Sequence, residues 1–137
     1  MKLQPGYLYH IKDEYFDFIN DENLMINHEN GRSSPTYFVI KDKDILWFIP
    51  LSSKIDKYQR IIDYKIKKFG SCKTILIRKI KNKKCVILLQ NAFPTLDVFI
   101  SHAHIINGKP LKVINSLESE IKKDFKFMLS MKMKGKN

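Results

Sequence analysis

Apolar and polar positions alternate along several short stretches of this chain, and the alternation predicts strands. Tyr7-Leu8-Tyr9-His10-Ile11 is the first, rich in aromatic side chains. Tyr15, Phe16 and Ile19 then recur at helical spacing among acidic residues, which predicts a short helix. Residues 20–36 carry Asn20-Asp21-Glu22-Asn23, Asn30-Gly31 and Ser33-Ser34-Pro35 and read as a loop. Tyr37–Ile40 and Ile45–Ile49 are two apolar strands, and the polar Lys41-Asp42-Lys43-Asp44 between them fits a tight hairpin.

The period changes over residues 55–69. Ile55, Tyr58, Ile62, Ile66 and Phe69 fall on one face of a helix, with Lys57, Arg60, Lys67 and Lys68 opposite. Gly70 supplies a positive-φ stop. Lys73–Ile80 and Cys85–Gln90 predict a second hairpin with a cationic tip at Lys81-Asn82-Lys83-Lys84. Asn91-Ala92-Phe93-Pro94-Thr95 breaks it, Val98–Ile105 is either a strand or irregular, and Asn107-Gly108-Lys109-Pro110 is a turn. A last helix starts near Ser116 as N-cap and buries Ile114, Leu117, Ile121, Phe125 and Met128; its lysine-rich end, Lys132–Lys136, frays. Five or more short strands with peripheral helices predict a single α+β domain over residues 1–137: a small, strongly bent antiparallel sheet or β-barrel decorated by helices.

Composition narrows the class. Hydrophobic residues make up 44% of the chain, too many for intrinsic disorder. No apolar run spans a bilayer and the first residues lack a signal-peptide core, so a cytoplasmic protein without membrane contact is expected. Cys72 and Cys85 read as small buried hydrophobes rather than a disulfide. The net charge of +11 is concentrated: residues 54–84 hold twelve basic side chains against Asp56 and Asp63. Self-repulsion disfavours such clustering unless an anion uses it, so Lys57, Arg60, Tyr64, Lys67 and Lys68 on the helix, with Lys73, Arg78, Lys79, Lys81, Lys83 and Lys84 on the ribbon, are either a solvated face or a nucleic-acid surface.

Candidate chemistry is sparse. His102-Ala103-His104 places two imidazoles on one side of a strand, but no carboxylate or cysteine cluster completes a ligand set, so no metal or other cofactor is expected. There is no Gly-rich phosphate loop, paired-carboxylate motif or Cys–His signature. What remains is Trp47-Phe48-Ile49-Pro50-Leu51-Ser52-Ser53-Lys54, a core strand ending in two hydroxyls and an ammonium. Ser52-Ser53 is either a turn or helix cap with Lys54 solvated, or an anion site. In the second case an RNA substrate needs no protein nucleophile. Its own 2′-hydroxyl attacks the adjacent phosphate, and the protein orients the attack, moves protons and stabilises charge on phosphorus.

Two segments carry a more specific signal. Ser34-Pro35-Thr36-Tyr37-Phe38-Val39-Ile40 followed by Trp47–Lys54, together with Leu89-Gln90-Asn91-Ala92-Phe93-Pro94 and the basic last helix, resembles the type III toxin–antitoxin endoribonuclease toxins of the ToxN/AbiQ group, closest to the CptN and TenpN branches. The resemblance implies a Kid/MazF-like bent barrel and a metal-independent, sequence-specific endoribonuclease. It implies cleavage by 2′-hydroxyl attack to a 2′,3′-cyclic phosphate. Its partners would be a folded, pseudoknotted repeat RNA antitoxin that it processes and that inhibits it, and cellular or phage RNA as substrate. Higher-order toxin–RNA assembly and abortive phage infection are implied with them. By position, Ser52, Ser53 and Lys54 match the family's hydroxyl–hydroxyl–basic cluster, and Tyr37 with Arg32 or Thr36 stands where further site residues are placed; the family prototype has a lysine in that region. Ser53 would then hold the scissile phosphate, supported by Ser52, and Lys54 would stabilise charge. Tyr37 would stack a base or orient the 2′-hydroxyl, or else is a core aromatic. Tyr7, Tyr9 and Tyr64 are the stacking candidates. Two other classes compete: a non-catalytic RNA-binding module, and a MazF-like toxin held by a protein antitoxin.

Overall fold

The structure, a computed structural model, describes residues 2–19, 28–29 and 32–133. Strand β1 (Leu8–Ile11) leads into helix α1 (Asp13–Ile19), and two short strands, β2 (His28–Glu29) and β3 (Arg32–Ser33), pair with each other. Strands β4 (Thr36–Asp42) and β5 (Ile45–Ser52) form the predicted hairpin, and helix α2 (Ile55–Phe69) follows within the predicted limits. The second hairpin is β6 (Leu76–Ile80) with β7 (Lys83–Ile87), turning on Lys81 and Asn82, both at positive φ as a two-residue turn of this twist requires. Then come β8 (Phe93–Thr95), β9 (Ile100–Ala103), the small hairpin β10 (Ile105–Ile106) with β11 (Lys109–Pro110), and α3 (Asn115–Met133). The rest of the predicted 20–36 loop and the end of the Lys132–Lys136 tail lie outside the described residues.

Six strands cross one antiparallel sheet in the order β6-β7-β5-β4-β1-β9, and β8 joins it by pairing with β5. Strand β5 is its axis. One edge lies along β4; the other meets β8 through Leu46–Phe48 and then β7 through Leu51–Ser52. Pro50 stands at this change of partner. It has no N–H to give, and its carbonyl accepts the Leu88 N–H at 3.1 Å, so the ladder loses little there.

The sheet is bent but open, which corrects the expected barrel: among the described residues the outer strands β6 and β9 do not pair. The physical reason lies in the coverage of its faces. One face (Leu8, Tyr37, Ile49, Leu51, Ile87) is buried by Leu117, Ile121 and Phe125 of α3, so it needs no closure onto itself. The other (Tyr9, Ile11, Phe38, Phe48) packs with Tyr15 of α1, Phe93 and Ile100. A third cluster seats Tyr58 of α2 on Ile75, Val86 and Leu88. Bulges bend the sheet between Phe38 and Ile40 and between His10 and Ile11.

Several expectations change. The apolar stripe of α2 is buried only over its first turns: the third cluster takes in Ile55, Tyr58, Ile61 and Ile62, while Ile66 and Phe69 are exposed. Ile114 precedes α3 and is exposed, its carbonyl accepting the Glu118 N–H at 3.0 Å. Within the segment 91–95, Phe93–Thr95 form strand β8, and 98–105 holds the edge strand β9. Cys72 and Cys85 are not joined in a disulfide, and each is half-buried.

Candidate active site

The end of β5 opens into a groove of about 340 Å³, lined by Leu51, Ser52, Ser53, Lys83, Lys84 and His104 among others. It lies where β5 finishes and β1 and β4 begin, so Leu8 and Ser34-Pro35 line it too. The β6–β7 hairpin supplies Lys83 and Lys84. Ser52 pairs with Val86, and the same register carried onward sets the start of β7, with its lysines, beside Ser53.

The two serines do different work. Ser52 is 4% exposed, and its Oγ accepts the Lys54 N–H at 3.1 Å. It thereby fixes the turn into α2, where the Ile55 N–H donates to the Ser53 carbonyl at 2.9 Å. Ser53 is exposed and lines the groove. Lys54 is also exposed but is not among the lining residues; it is the residue before α2, and its carbonyl accepts the Tyr58 N–H. The groove's cations are Lys83 and Lys84.

Tyr37 is 1% exposed and sits in the α3-covered core, so its ring has no face to offer a base. Burial, and after it the Glu118 carboxylate, push its phenol well above the ordinary value, which removes it as a base at neutral pH. Thr36 is buried too, donating its hydroxyl to the Tyr9 carbonyl at 2.9 Å. The side chain of Arg32 lies outside the described residues. Tyr9 is buried, and its hydroxyl accepts the Gln4 N–H at 2.9 Å; Tyr7 is half-buried. Of the stacking candidates, Tyr64 presents an exposed ring.

The other predicted cations divide into three groups. Lys57, Arg60, Lys67 and Lys68 stand exposed along α2, with the Lys68 ammonium over the Tyr64 and Phe69 rings. Lys79 and Lys81 are exposed on the ribbon beside the groove-lining Lys83 and Lys84, while the Lys73 ammonium lies 4.9 Å from the centre of the Phe127 ring. Arg78 holds Glu120 of α3 with two hydrogen bonds of 2.9 and 2.6 Å, so its fork is engaged within the protein.

In the sequence, His102 and His104 are weighed only as metal ligands and His10 is not considered as a site residue. Three of the chain's four histidines meet on the groove side of the β1–β9 pair. His10 Nε2 and His104 Nδ1 are 2.8 Å apart, and the His102 ring stacks on His10 with centroids 4.6 Å apart. The alternation of His102 and His104 was the available signal; their meeting with His10 depends on strand register. Burial, then His104 and His102, lower His10 from 6.5 to about 4, and burial lowers His104 as well. Between those limits the unfolded chain takes up protons that the folded chain refuses. Stability is therefore complete above pH 6.5 and falls as the pH drops toward 4. Urea titrations at pH 7 and pH 4.5 should show this fall in the native chain and a smaller one in His10→Gln; equal falls would refute it. Among the described residues, no group of three or more His, Cys, Asp and Glu side chains is placed to hold a metal ion.

No family model matches the sequence, and no curated protein does. The architecture does match. Over 93% of this chain and 82% of the other it superposes, with a TM-score of 0.71, on AbiQ, a lactococcal anti-phage endoribonuclease belonging to the type III toxin–antitoxin system. This chain shares the AbiQ fold. At 16% identity the two chains have in common the path of the backbone rather than its side chains, so what the groove does has to be argued from the residues that line it here. No helix among the described residues is long and apolar enough to cross a membrane.

Proposed function

We propose that this chain is a cytoplasmic endoribonuclease toxin of a type III toxin–antitoxin system, cutting RNA in the groove at the end of β5. The observation that carries the reading is the position of Ser53 at the lip of that groove, flanked by Lys83 and Lys84, in a chain with the AbiQ fold. The chemistry follows from that set of groups. A phosphodiester entering the groove is met by a hydroxyl donor, two ammonium groups and the positive end of the 15-residue α2. Fixed donors of this kind favour the extra charge on phosphorus as the neighbouring 2′-oxygen attacks. The 5′-oxygen departs, leaving a 2′,3′-cyclic phosphate. No step requires a metal ion.

The cations of α2 and of the ribbon extend well beyond a single scissile phosphate, which supports a long, folded RNA as the second partner: a repeat antitoxin that the toxin processes and that then occupies the groove. Recognition through phosphates makes affinity salt-dependent. Replacing Lys83 and Lys84 together by alanine should reduce the slope of log affinity against log salt by about 1.5, with the melting temperature unchanged. An unaltered slope would remove the hairpin from the interface.

The reading is tested by incubating the purified protein with total bacterial RNA in EDTA and sequencing the new ends. Breaks at a recurring sequence, with 2′,3′-cyclic phosphate and 5′-hydroxyl termini, are expected. Binding without breaks would leave a non-catalytic RNA-binding module in its place.

A further inference from the structure

The groove holds one side chain suited to moving a proton at neutral pH that neither its lip nor its hairpin supplies. His104 lines it together with Lys83 and Lys84, directly after β9, where its backbone N–H donates to the Leu8 carbonyl at 2.9 Å. We propose that His104 is the general base that takes the proton of the attacking 2′-hydroxyl, and that His10 is a positioning residue that fixes its tautomer. The inference rests on the nuclease reading above.

The argument is geometric. One proton lies between His10 Nε2 and His104 Nδ1, which are 2.8 Å apart. If it belongs to His104, then His104 Nε2 carries a lone pair, and that nitrogen has no protein partner among the described residues. A proton accepted at Nε2 leaves the bond to His10 intact, and the His10 lone pair stabilises the imidazolium that forms. If the proton belonged to His10, a second proton on His104 would set two donors against each other. Only the first arrangement lets the ring work as a base without breaking the pair. His10 cannot take this role itself, being 8% exposed and outside the groove lining. His102 is exposed, stacked on His10, and its Nδ1 lies 2.8 Å from Ser101 Oγ. The titratable groups around His104 are His10 from β1 and His102 from β9, with Lys83 and Lys84 lining the same groove. Burial, and after it His102, disfavour its cationic form, which keeps it neutral and ready near pH 7.

The step balances without another reactant. The 2′-oxygen forms a bond to phosphorus as its proton passes to His104 Nε2. The bond from phosphorus to the 5′-oxygen breaks, its electron pair leaving with that oxygen, which takes a proton from water. The hydroxide so formed is neutralised by the proton on His104.

The test uses an RNA oligonucleotide carrying a cleavage site mapped in total RNA, followed by single-turnover rates from pH 4.5 to 8. The native protein should lose activity on the acid side with unit slope and a midpoint below 6.5. His104→Asn keeps a donor toward His10, since the asparagine amide stands near Nδ1, but has no Nε2. It should cleave at least 100-fold more slowly, without the acid limb, while binding a 2′-deoxy version of the oligonucleotide as tightly as the native protein. His10→Leu should slow cleavage, and His10→Gln, whose carbonyl stands near Nε2, should restore most of the loss. His104→Asn cleaving at the native rate with the native acid limb would overturn the inference while leaving the nuclease reading intact. A native protein that makes no breaks at all would overturn that reading, and this one with it. Nitrogen-15 NMR of the native protein gives a check independent of any variant: the proton should be on Nδ1 of His104, and a proton on Nε2 alone would refute the assignment.

Discussion

Ser53→Ala should lower the rate of RNA cleavage by about 100-fold or more and leave the melting temperature where it is. The hydroxyl is exposed, lines the groove, and lies outside all three apolar clusters, so its loss empties no core. On the function proposed above, what it removes is a donor set at the turn into α2 that would meet the charge developing in the transition state. Ser52→Ala should behave differently. It removes the oxygen that accepts the Lys54 N–H and so loosens the turn itself, at a cost of about 1 kcal/mol, with a smaller and indirect effect on rate. Chemical denaturation of both variants, beside their single-turnover rates, separates the two roles. Equal rates in Ser53→Ala and the native protein would take the hydroxyl out of the mechanism.

The largest loss of stability is expected from Phe48→Ala, about 3–5 kcal/mol. Phe48 is fully buried, stacks on Phe38 with centroids 5.0 Å apart, meets the Tyr9 ring edge-on at 6.1 Å, and touches Phe93 of β8. Truncation leaves a cavity under the strand that, four residues later, presents Ser52. A domain of this size has about 5–15 kcal/mol in total, so the variant should be close to unfolded at 37 °C and inactive for that reason. The denaturation midpoint should fall with an unchanged slope. A shift under 1 kcal/mol would mean that the aromatic cluster is not the mainstay of this face.

Local signals in the sequence carried most of the elements. Residues 55–69 are a helix because their apolar period is helical and Gly70, at φ 87°, ends it. The Asn107-Gly108 turn is legible for the same reason, since both residues take positive φ. What local signals do not carry is contact. Phe93-Pro94-Thr95 holds a proline and only three residues, and it becomes a strand because β5 offers it an edge. The outer turns of α2 look as apolar as the inner ones, yet Ile66 and Phe69 are exposed. The barrel stays open because α3 covers the face that closure would have buried, and nothing in the strands' own pattern announces that.

The site divides along the same line. Two hydroxyls at the end of an apolar run are visible in the chain, and Ser53 stands in the groove. Lys54 follows them in sequence but stands outside the lining; Lys83 and Lys84, thirty residues further on, are brought there by the pairing of Ser52 with Val86. Tyr37 and Thr36 alternate as strand residues do, and both are spent on the core and its hydrogen bonds. The histidine pair depends on strands at opposite ends of the chain.

One measurement reaches the central claim, that this groove is where RNA is bound for cutting. Hydrogen–deuterium exchange, with and without an RNA oligonucleotide made uncleavable by a 2′-deoxy substitution at its mapped site, should show protection in peptides covering Leu51–Ser53, Ile80–Cys85 and the segment around His104. Protection confined to the outer face of α2, with those three segments exchanging as in the free protein, would contradict it.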